Sequence, residues 1–397
     1  MIVFDPRLIP EVNIGMVGHV AHGKTLLVNA ISRKLTLTHS EELKRGITIR
    51  LGYADATIYF CTKCGKYCTV PKCPYCFSDA EPRRTVSFVD APGHEALMAT
   101  VLTGAGIMDG AIMVIAANEK CPQSQTVENL TALEVAGIKN VVIAQTKIDL
   151  VTEEQAMKNY QEIKEFVKDS LIEDAPIIPV SAQHRINIEY LLEAVEERIP
   201  TPPRDMTKEP LMMVARSFDI NKPGTEPEKI VGGVLGGALV QGKLKLGDEI
   251  EIRPGIKVKN DYRQLSSTVV GLQKAKKNLE ETGPGGLLGL MTKLDPSLTK
   301  SDALVGSVVG LPGKLPEVRY SLAVEFKPIR KPESQIKVGE DLLINVGTAR
   351  SVGTVTSVKK ERIEMKLKIP VCFSRERIVV SRQVEGRWHL VGYGNAL

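Results

Sequence analysis

Aromatic side chains are scarce in this chain, 5% of 397 residues with a single tryptophan. So thin a supply argues against a platform on which unpaired bases stack, and leaves shape and backbone as the features by which a nucleic acid could be recognised. Long apolar runs are missing too. The longest, such as Ala111 to Ala117, fall far short of the roughly 20 residues that span a bilayer, so no membrane partner is expected. The first dozen residues include Asp5, Pro6 and Arg7 and do not read as the basic lead and apolar core of a secretory signal, so a cytoplasmic chain is expected. No internal repeat is visible at periods of roughly 20 to 50 residues, so solenoids and propellers are excluded. With 43% apolar and 25% charged residues the composition is that of a folded globular chain, long enough for roughly two to four domains.

Charge is unevenly placed. Residues 1–205 carry 21 Lys and Arg against 26 Asp and Glu, the remainder 31 against 21, so the net charge of +5 divides into −5 and +10. Uneven surface solvation accounts for this as well as contact between the C-terminal half and a polyanion does.

From Val12 to about Arg198, short β-branched runs alternate with helical patterns, which predicts parallel strands joined by crossover helices. The strands expected are Val12–Val17, Val86–Asp90, Gly110–Ala116, Val141–Gln145 and Ile177–Val180, with helical periodicity clearest over Glu128–Ala136 and Glu154–Val167. A proline-rich stretch beginning at Pro200 ends this α/β domain, because proline cannot continue a helix. Beyond it, short β-like runs at Met212–Phe218, Val231–Val240, Asp248–Arg253, Ser266–Leu272 and Leu287–Met291 predict one β-barrel. After the break at Pro312–Pro316, a second strand-rich block from Tyr320 to Tyr393 predicts another. It includes Leu342–Val346, Arg362–Ile369 and Arg377–Val380. The fold expected is therefore a doubly wound, mostly parallel α/β domain over 1–205, then barrels over 206–317 and 318–397. Gly232 to Gly237 reads equally as a close backbone approach or a strand bend.

Directly after the first strand, Gly18-His-Val-Ala-His-Gly23-Lys24-Thr25 fits a phosphate-binding loop. Its glycines let backbone N–H groups face phosphates, Lys24 reaches the β and γ groups, and the Thr25 hydroxyl binds Mg²⁺. Gly18, Ala21, His22, Gly23, Lys24 and Thr25 are thus candidate contacts. Asp90-Ala-Pro-Gly93 follows a strand, where a carboxylate can hold Mg²⁺ and a glycine amide can approach the γ-phosphate. Thr146-Lys147-Ile148-Asp149 ends another strand. Asp149 there can accept hydrogen bonds from N1 and the exocyclic amine of guanine, donors that adenine lacks. Ser181-Ala182-Gln183 follows the last strand and could support the base edge.

In order and strand context these four elements resemble the nucleotide motifs of the translational GTPases. Leu43-Lys-Arg-Gly46-Ile47-Thr48-Ile49 is similar to the RGITI segment of their first switch. The resemblance implies that Thr48 coordinates Mg²⁺ while GTP is bound and lets go after hydrolysis to GDP, and that His94, after Gly93, positions the attacking water as the catalytic residue. Two positions depart from the family. Ala21 stands where an aspartate is usual, and the resemblance implies that this carboxylate helps hold a second cation together with the backbone of Gly46. Ala21 is expected to spare GTP binding and weaken hydrolysis. Thr146 stands where asparagine is usual, but Lys147 and Asp149 remain, so guanine preference is expected to survive.

Five of seven cysteines lie within 16 residues: Cys61, Cys64, Cys68, Cys73 and Cys76. Two C-x₂-C pairs at this separation have the spacing of a tetrahedral, structural Zn²⁺ knuckle, placed over 59–80. Cys61, Cys64, Cys73 and Cys76 are the expected ligands, since replacing any of them by Cys68 breaks a pair. Cys121 and Cys372 are isolated and expected to be packing residues.

A zinc knuckle between first switch and Asp90-Ala-Pro-Gly-His-Glu95, followed by two barrels, resembles the gamma subunits of translation initiation factor 2. Arg216–Gly224 and Gly232–Gly242 add to the likeness, and the short lead before the first strand looks archaeal. The resemblance implies a GTPase that carries initiator methionyl-tRNA to the small ribosomal subunit, as the core of a heterotrimer with alpha and beta subunits. An elongation factor for aminoacyl- or selenocysteinyl-tRNA, a metabolic GTPase subunit of sulfate adenylylation, and a zinc-dependent RNA-binding module with a merely structural nucleotide site are the rival readings.

Overall fold

In the first of two units, Met1–Gly104 with Met108–Pro203, seven strands form one sheet in the order β3-β2-β4-β1-β5-β6-β7. These are β1 (Pro10–Gly18), β2 (Gly52–Cys61), β3 (Lys66–Cys68), β4 (Glu81–Asp90), β5 (Gly110–Ala116), β6 (Val141–Thr146) and β7 (Ile177–Pro179). The computed structural model describes residues 5–34, 51–91, 98–222, 224–259, 261–329, 335–374 and 376–397. Strands β4, β1, β5, β6 and β7 run parallel, whereas β2 and β3 extend the sheet antiparallel. Every residue of β5 and β6 is buried, the signature of central strands covered on both faces. Crossover helices supply that cover. Among them are α1 (Lys24–Ser32), α2 (Met98–Ala105), α3 (Ser124–Ala136), α4 (Glu153–Val167) and α5 (Ile188–Arg198).

Local chemistry sets the helix ends. Thr152 and Gln155 form a reciprocal capping box before α4, satisfying two otherwise orphaned amides. At the far end of α5, Arg84 donates to the carbonyls of Val195 (3.3 Å) and Ile199 (2.7 Å) and pairs with Glu196 at 2.7 Å, a cation where the helix dipole favours one. Because the central strands are parallel, Gly18, Asp90, Ala116, Thr146 and Pro179 all end at the same edge of the sheet, the edge where open α/β sheets bind ligands.

The second unit, Ala105–Ile107 with Arg204–Leu397, holds two closed barrels. Leu211–Phe218, Val234–Gln241, Glu249–Val258, Asp261–Lys274, Leu288–Thr292 and Val308–Gly310 make the first ring, closed by pairing of Glu249–Val258 with Asp261–Lys274. Val318–Pro328, Asp341–Val346, Ala349–Lys359, Arg362–Cys372, Ile378–Val384 and Arg387–Ala396 make the second. Each has its own apolar centre, around Val214, Leu235, Ile252 and Leu290 in one and Val324, Ile344, Met365 and Val380 in the other. The glycine run is resolved in favour of close approach, since a Cβ on Gly237 would lie 1.9 Å from the Met213 carbonyl oxygen and one on Gly232 1.9 Å from that of Thr292. Between the barrels, buried Glu251 binds the Gly313 amide at 2.8 Å and Arg253 at 2.7 Å, and Arg253 donates to the carbonyls of Leu315 and Pro316 at 3.1 Å.

Candidate nucleotide and metal sites

The loop after β1 turns on residues in the left-handed region. Gly23 precedes α1 with φ 91°, and Ala21, exposed, has φ 61°. A Cβ on Gly18 would meet the Val114 carbonyl oxygen at 2.3 Å, so only glycine lets the loop lie this close to β5. Lys24 opens the helix, 6% exposed, and its ammonium donates to the carbonyls of Gly18 (2.8 Å) and His19 (2.9 Å). Burial lowers its pKa from 10.5 to about 8, against the pull of Asp90. Next to it, the Thr25 hydroxyl donates to the Asp90 carboxylate at 2.7 Å. Two hard oxygen donors side by side at a helix N-terminus fit Mg²⁺.

His22 is buried within this loop. Its Nδ1 lies 3.1 Å from the Val114 carbonyl and its Nε2 3.3 Å from Glu119, while burial pulls its pKa below the ordinary 6.5 in opposition to both acceptors. The Thr146 hydroxyl donates to the His22 carbonyl at 2.7 Å. The shorter side chain at this position therefore still ties the end of β6 to the phosphate loop.

Asp149 lies in a 3₁₀ turn just beyond β6. A hydrogen bond from Ser181 holds its carboxyl below the usual range, with help from His184 and Lys147. Ser181 exchanges two backbone hydrogen bonds with Ile186, at 3.2 and 3.0 Å, closing a turn that carries Ala182 and Gln183 between β7 and α5. Lys147 adopts φ 60° and lies 3.9 Å from Glu119. Behind the turn, buried Asn159 donates to the Glu119 carbonyl at 2.8 Å and accepts from Gln145 at 2.9 Å.

The structure thus gathers Gly18, Ala21, His22, Gly23, Lys24, Thr25 and Asp90 around one loop, and Lys147, Asp149 and Ser181 around the next, with Thr146 joining them. Gly46, Thr48, Gly93 and His94 lie outside the described residues. Sequence reading overlooks Glu119 and Asn159. The signal available for Glu119 is a polar residue shortly after the all-buried β5, at the ligand-binding edge of the sheet.

Among the described residues one cysteine cluster has metal-binding geometry. The sulfurs of Cys61, Cys64, Cys73 and Cys76 all lie within 4.8 Å of one another, with Cys61–Cys76 at 3.4 Å and Cys64–Cys73 at 3.5 Å. Four thiolates around Zn²⁺ at about 2.3 Å stand about 3.8 Å apart, so this donor set fits zinc. Each knuckle turns alike: Gly65 (φ 68°) and Phe77 (φ 59°) donate backbone N–H to the carbonyls of Cys61 and Cys73. The Ser78 backbone, followed by its hydroxyl, lowers the Cys76 pKa to about 6, whereas burial pushes the Cys64 thiol up to about 12. Cys68 is buried outside the cluster with its thiol on the Val70 carbonyl at 3.3 Å, and Cys121 and Cys372 are buried elsewhere.

Residues 10–201 match the Elongation factor Tu GTP binding domain, 232–310 match Elongation factor Tu domain 2, and 319–396 match Initiation factor eIF2 gamma, C terminal. The translation initiation factor 2 subunit gamma of Pyrococcus furiosus is 56% identical over 397 residues, covering 97% of this chain and 97% of that one. The chain belongs to the translation initiation factor 2 gamma subunit family. The namesake proteins of Methanothermobacter thermautotrophicus, 56% identical with 97% and 98% covered, and Archaeoglobus fulgidus, 54% identical with 97% and 94% covered, agree. A bacterial selenocysteine-specific elongation factor EF-Sec shares the fold, with TM-score 0.76 and 23% identity over 97% of this chain and 58% of that one. So does elongation factor SelB from Methanococcus maripaludis in complex with the GTP analogue GppNHp, with TM-score 0.72 and 19% identity over 98% and 79%. Those two likenesses bear on architecture alone. Family membership sets aside the elongation-factor and metabolic readings. No helix among the described residues is long and apolar enough to cross a membrane.

Proposed function

We propose that this chain carries initiator methionyl-tRNA to the small ribosomal subunit in a GTP-dependent way, as the gamma core of a cytoplasmic heterotrimer with alpha and beta subunits. Its domains are 1–205, with the knuckle at 59–80, 206–317 and 318–397. The observation that carries this reading is the assembly of Lys24, Thr25 and Asp90 beside Asp149 and Ser181 at one edge of the sheet, in a translational GTPase of the initiation factor 2 gamma family.

In this reading Gly18, Ala21, His22, Gly23 and Lys24 wrap the phosphates with N–H groups and an ammonium at a helix start. Thr25 and Asp90, joined by Thr48, would hold Mg²⁺, which would supply charge neutralisation for the phosphates, and the Gly46 backbone would help hold a second cation. The family likeness supports Gly93 as the amide that approaches the γ-phosphate and His94 as the residue that orients the attacking water. Asp149, kept ionised by Ser181, accepts from guanine N1–H and the amino group. Thr146, Lys147, Ala182 and Gln183 frame the base. The four cysteines hold Zn²⁺ as a structural ion, since four thiolates leave no open position for substrate. The excess of +10 beyond residue 205 supports contact with an RNA backbone.

The deciding experiment measures binding of initiator methionyl-tRNA at fixed salt, with GDP and then a non-hydrolysable GTP analogue, using deacylated and elongator tRNAs as controls. Tighter binding of the methionylated initiator in the GTP form alone is expected. Nucleotide-independent or absent binding, repeated with alpha and beta subunits present, rejects the carrier reading.

A further inference from the structure

The cysteine knuckle is fastened to the last helix of the first unit. Lys66, two residues after Cys64, donates to Glu189 Oε1 at 3.0 Å. Tyr75, between Cys73 and Cys76, donates its hydroxyl to the other oxygen of the same carboxylate at 2.8 Å. The Lys66 ammonium also lies 4.4 Å from the centre of the Tyr75 ring, so the three side chains form one closed group. Glu189 is 9% exposed and sits in the first turn of α5, where the helix dipole favours a carboxylate.

What precedes α5 matters more. Ile186, three residues before Glu189, exchanges both backbone hydrogen bonds with Ser181, and Ser181 supports Asp149. Short contacts therefore lead from the knuckle through Tyr75 and Lys66 to Glu189, and the chain just before α5 holds Ile186 paired with Ser181, the residue that lowers the pKa of Asp149. Coupling along this line requires an element with two arrangements that both sites bias, and the turn closed by Ser181 and Ile186 is that element here.

We propose that Glu189 is a positioning residue that couples metal occupancy of the Cys61–Cys64–Cys73–Cys76 cluster to guanine-nucleotide affinity. With the four sulfurs drawn onto one ion, Tyr75 and Lys66 are held at the spacing that grips both oxygens of Glu189, and the start of α5 keeps Ser181 against Asp149. Without the ion the two knuckles separate, the grip on Glu189 loosens, and the base turn loses its backing. The inference rests on the guanine-nucleotide reading given above.

Coupling of this kind is reciprocal. Removing zinc from the full chain under reducing conditions should weaken binding of a fluorescent GDP analogue about fivefold or more, and saturating GDP should raise zinc affinity, read by chelator competition, by the same factor. Glu189→Ala should bind zinc and GDP separately yet bring both ratios close to one. Tyr75→Phe, which removes a single hydroxyl, should lower them partway, and it decides the matter if Glu189→Ala fails to fold. A role confined to holding the fold together would lower both affinities and leave the ratios unchanged. Equal GDP affinity with and without zinc, failure of the chain to take up zinc, or undiminished ratios in the folded variants would overturn the coupling. Absence of GDP binding in either metal state would instead overturn the nucleotide reading, and the coupling with it.

Discussion

Lys24 should make nucleotide affinity depend on pH in the direction opposite to stability. Its ammonium rests on the carbonyls of Gly18 and His19 at 2.8 and 2.9 Å, and burial brings its pKa from 10.5 to about 8. Phosphate oxygens restore the preference for the charged form, so nucleotide binds the protonated state and Lys24 takes up a proton wherever it was neutral beforehand. With a free-state pKa of about 8, the protonated fraction falls from about nine-tenths at pH 7 to about one-quarter at pH 8.5, and affinity should fall about fourfold. Equilibrium titration with a fluorescent GDP analogue at constant ionic strength and Mg²⁺ reads this directly. The folded pKa lies below the unfolded one, so between pH 8 and 10.5 the unfolded chain binds more protons. Stability of the nucleotide-free protein should therefore rise through that window, by up to about 3 kcal/mol. A flat or rising affinity between pH 7 and 8.5 would refute the lowered pKa of Lys24 in the nucleotide-free protein, on which this dependence rests.

Ala21→Asp should accelerate single-turnover GTP hydrolysis and leave the melting temperature nearly unchanged, because aspartate enters the left-handed region, φ 61° here, more readily than alanine; no acceleration would sink the proposed role of the missing carboxylate. Thr146→Val removes the donor that satisfies the buried His22 carbonyl at 2.7 Å, and denaturant unfolding should register a loss of about 1–3 kcal/mol, with weaker GDP binding alongside. Gly237→Ala drives a methyl toward an oxygen that would lie 1.9 Å away, so it should cost more than about 3 kcal/mol or prevent folding of the barrel. Normal melting of that variant would show that the two strands can part freely.

Legibility followed burial. Strands β5 and β6 announce themselves because both faces are covered and the apolar run is continuous, and the phosphate loop because its glycines stand at positions set by φ and by the approach to Val114. Sequence reading leaves out β2 and β3. β2 alternates buried and half-buried residues and carries Ala54, Asp55 and Thr57, which reads as weakly as a loop, and β3 is three residues inside the cysteine run. Val308–Gly310 goes unannounced, and Val318–Pro328, Ala349–Lys359 and Arg387–Ala396 fall in the strand-rich block from Tyr320 to Tyr393 without being singled out, because ring closure rather than local pattern decides where they pair. At Thr146 the residue type suggests a lost amide contact, whereas the hydroxyl reaches the loop by itself. Glu189 carries no sequence signal at all: its partners lie 123 and 114 residues away, and on a helix its identity suggests only a solvated face.

The edges of the sheet also bear on solubility. Among the described residues both outermost strands, β3 and β7, are only three residues long, and β3 covers the last three residues of β2, where an open edge could template a further strand. One of those blunt ends is maintained by the cysteine knuckle, which holds Lys66–Cys68 against Tyr59–Cys61. If the cysteines hold zinc as proposed, its removal should free that end of the ten-residue strand and extend the open edge to all of β2. Metal-depleted protein should therefore self-associate in proportion to its concentration, which makes zinc supply during expression a determinant of yield as well as of shape.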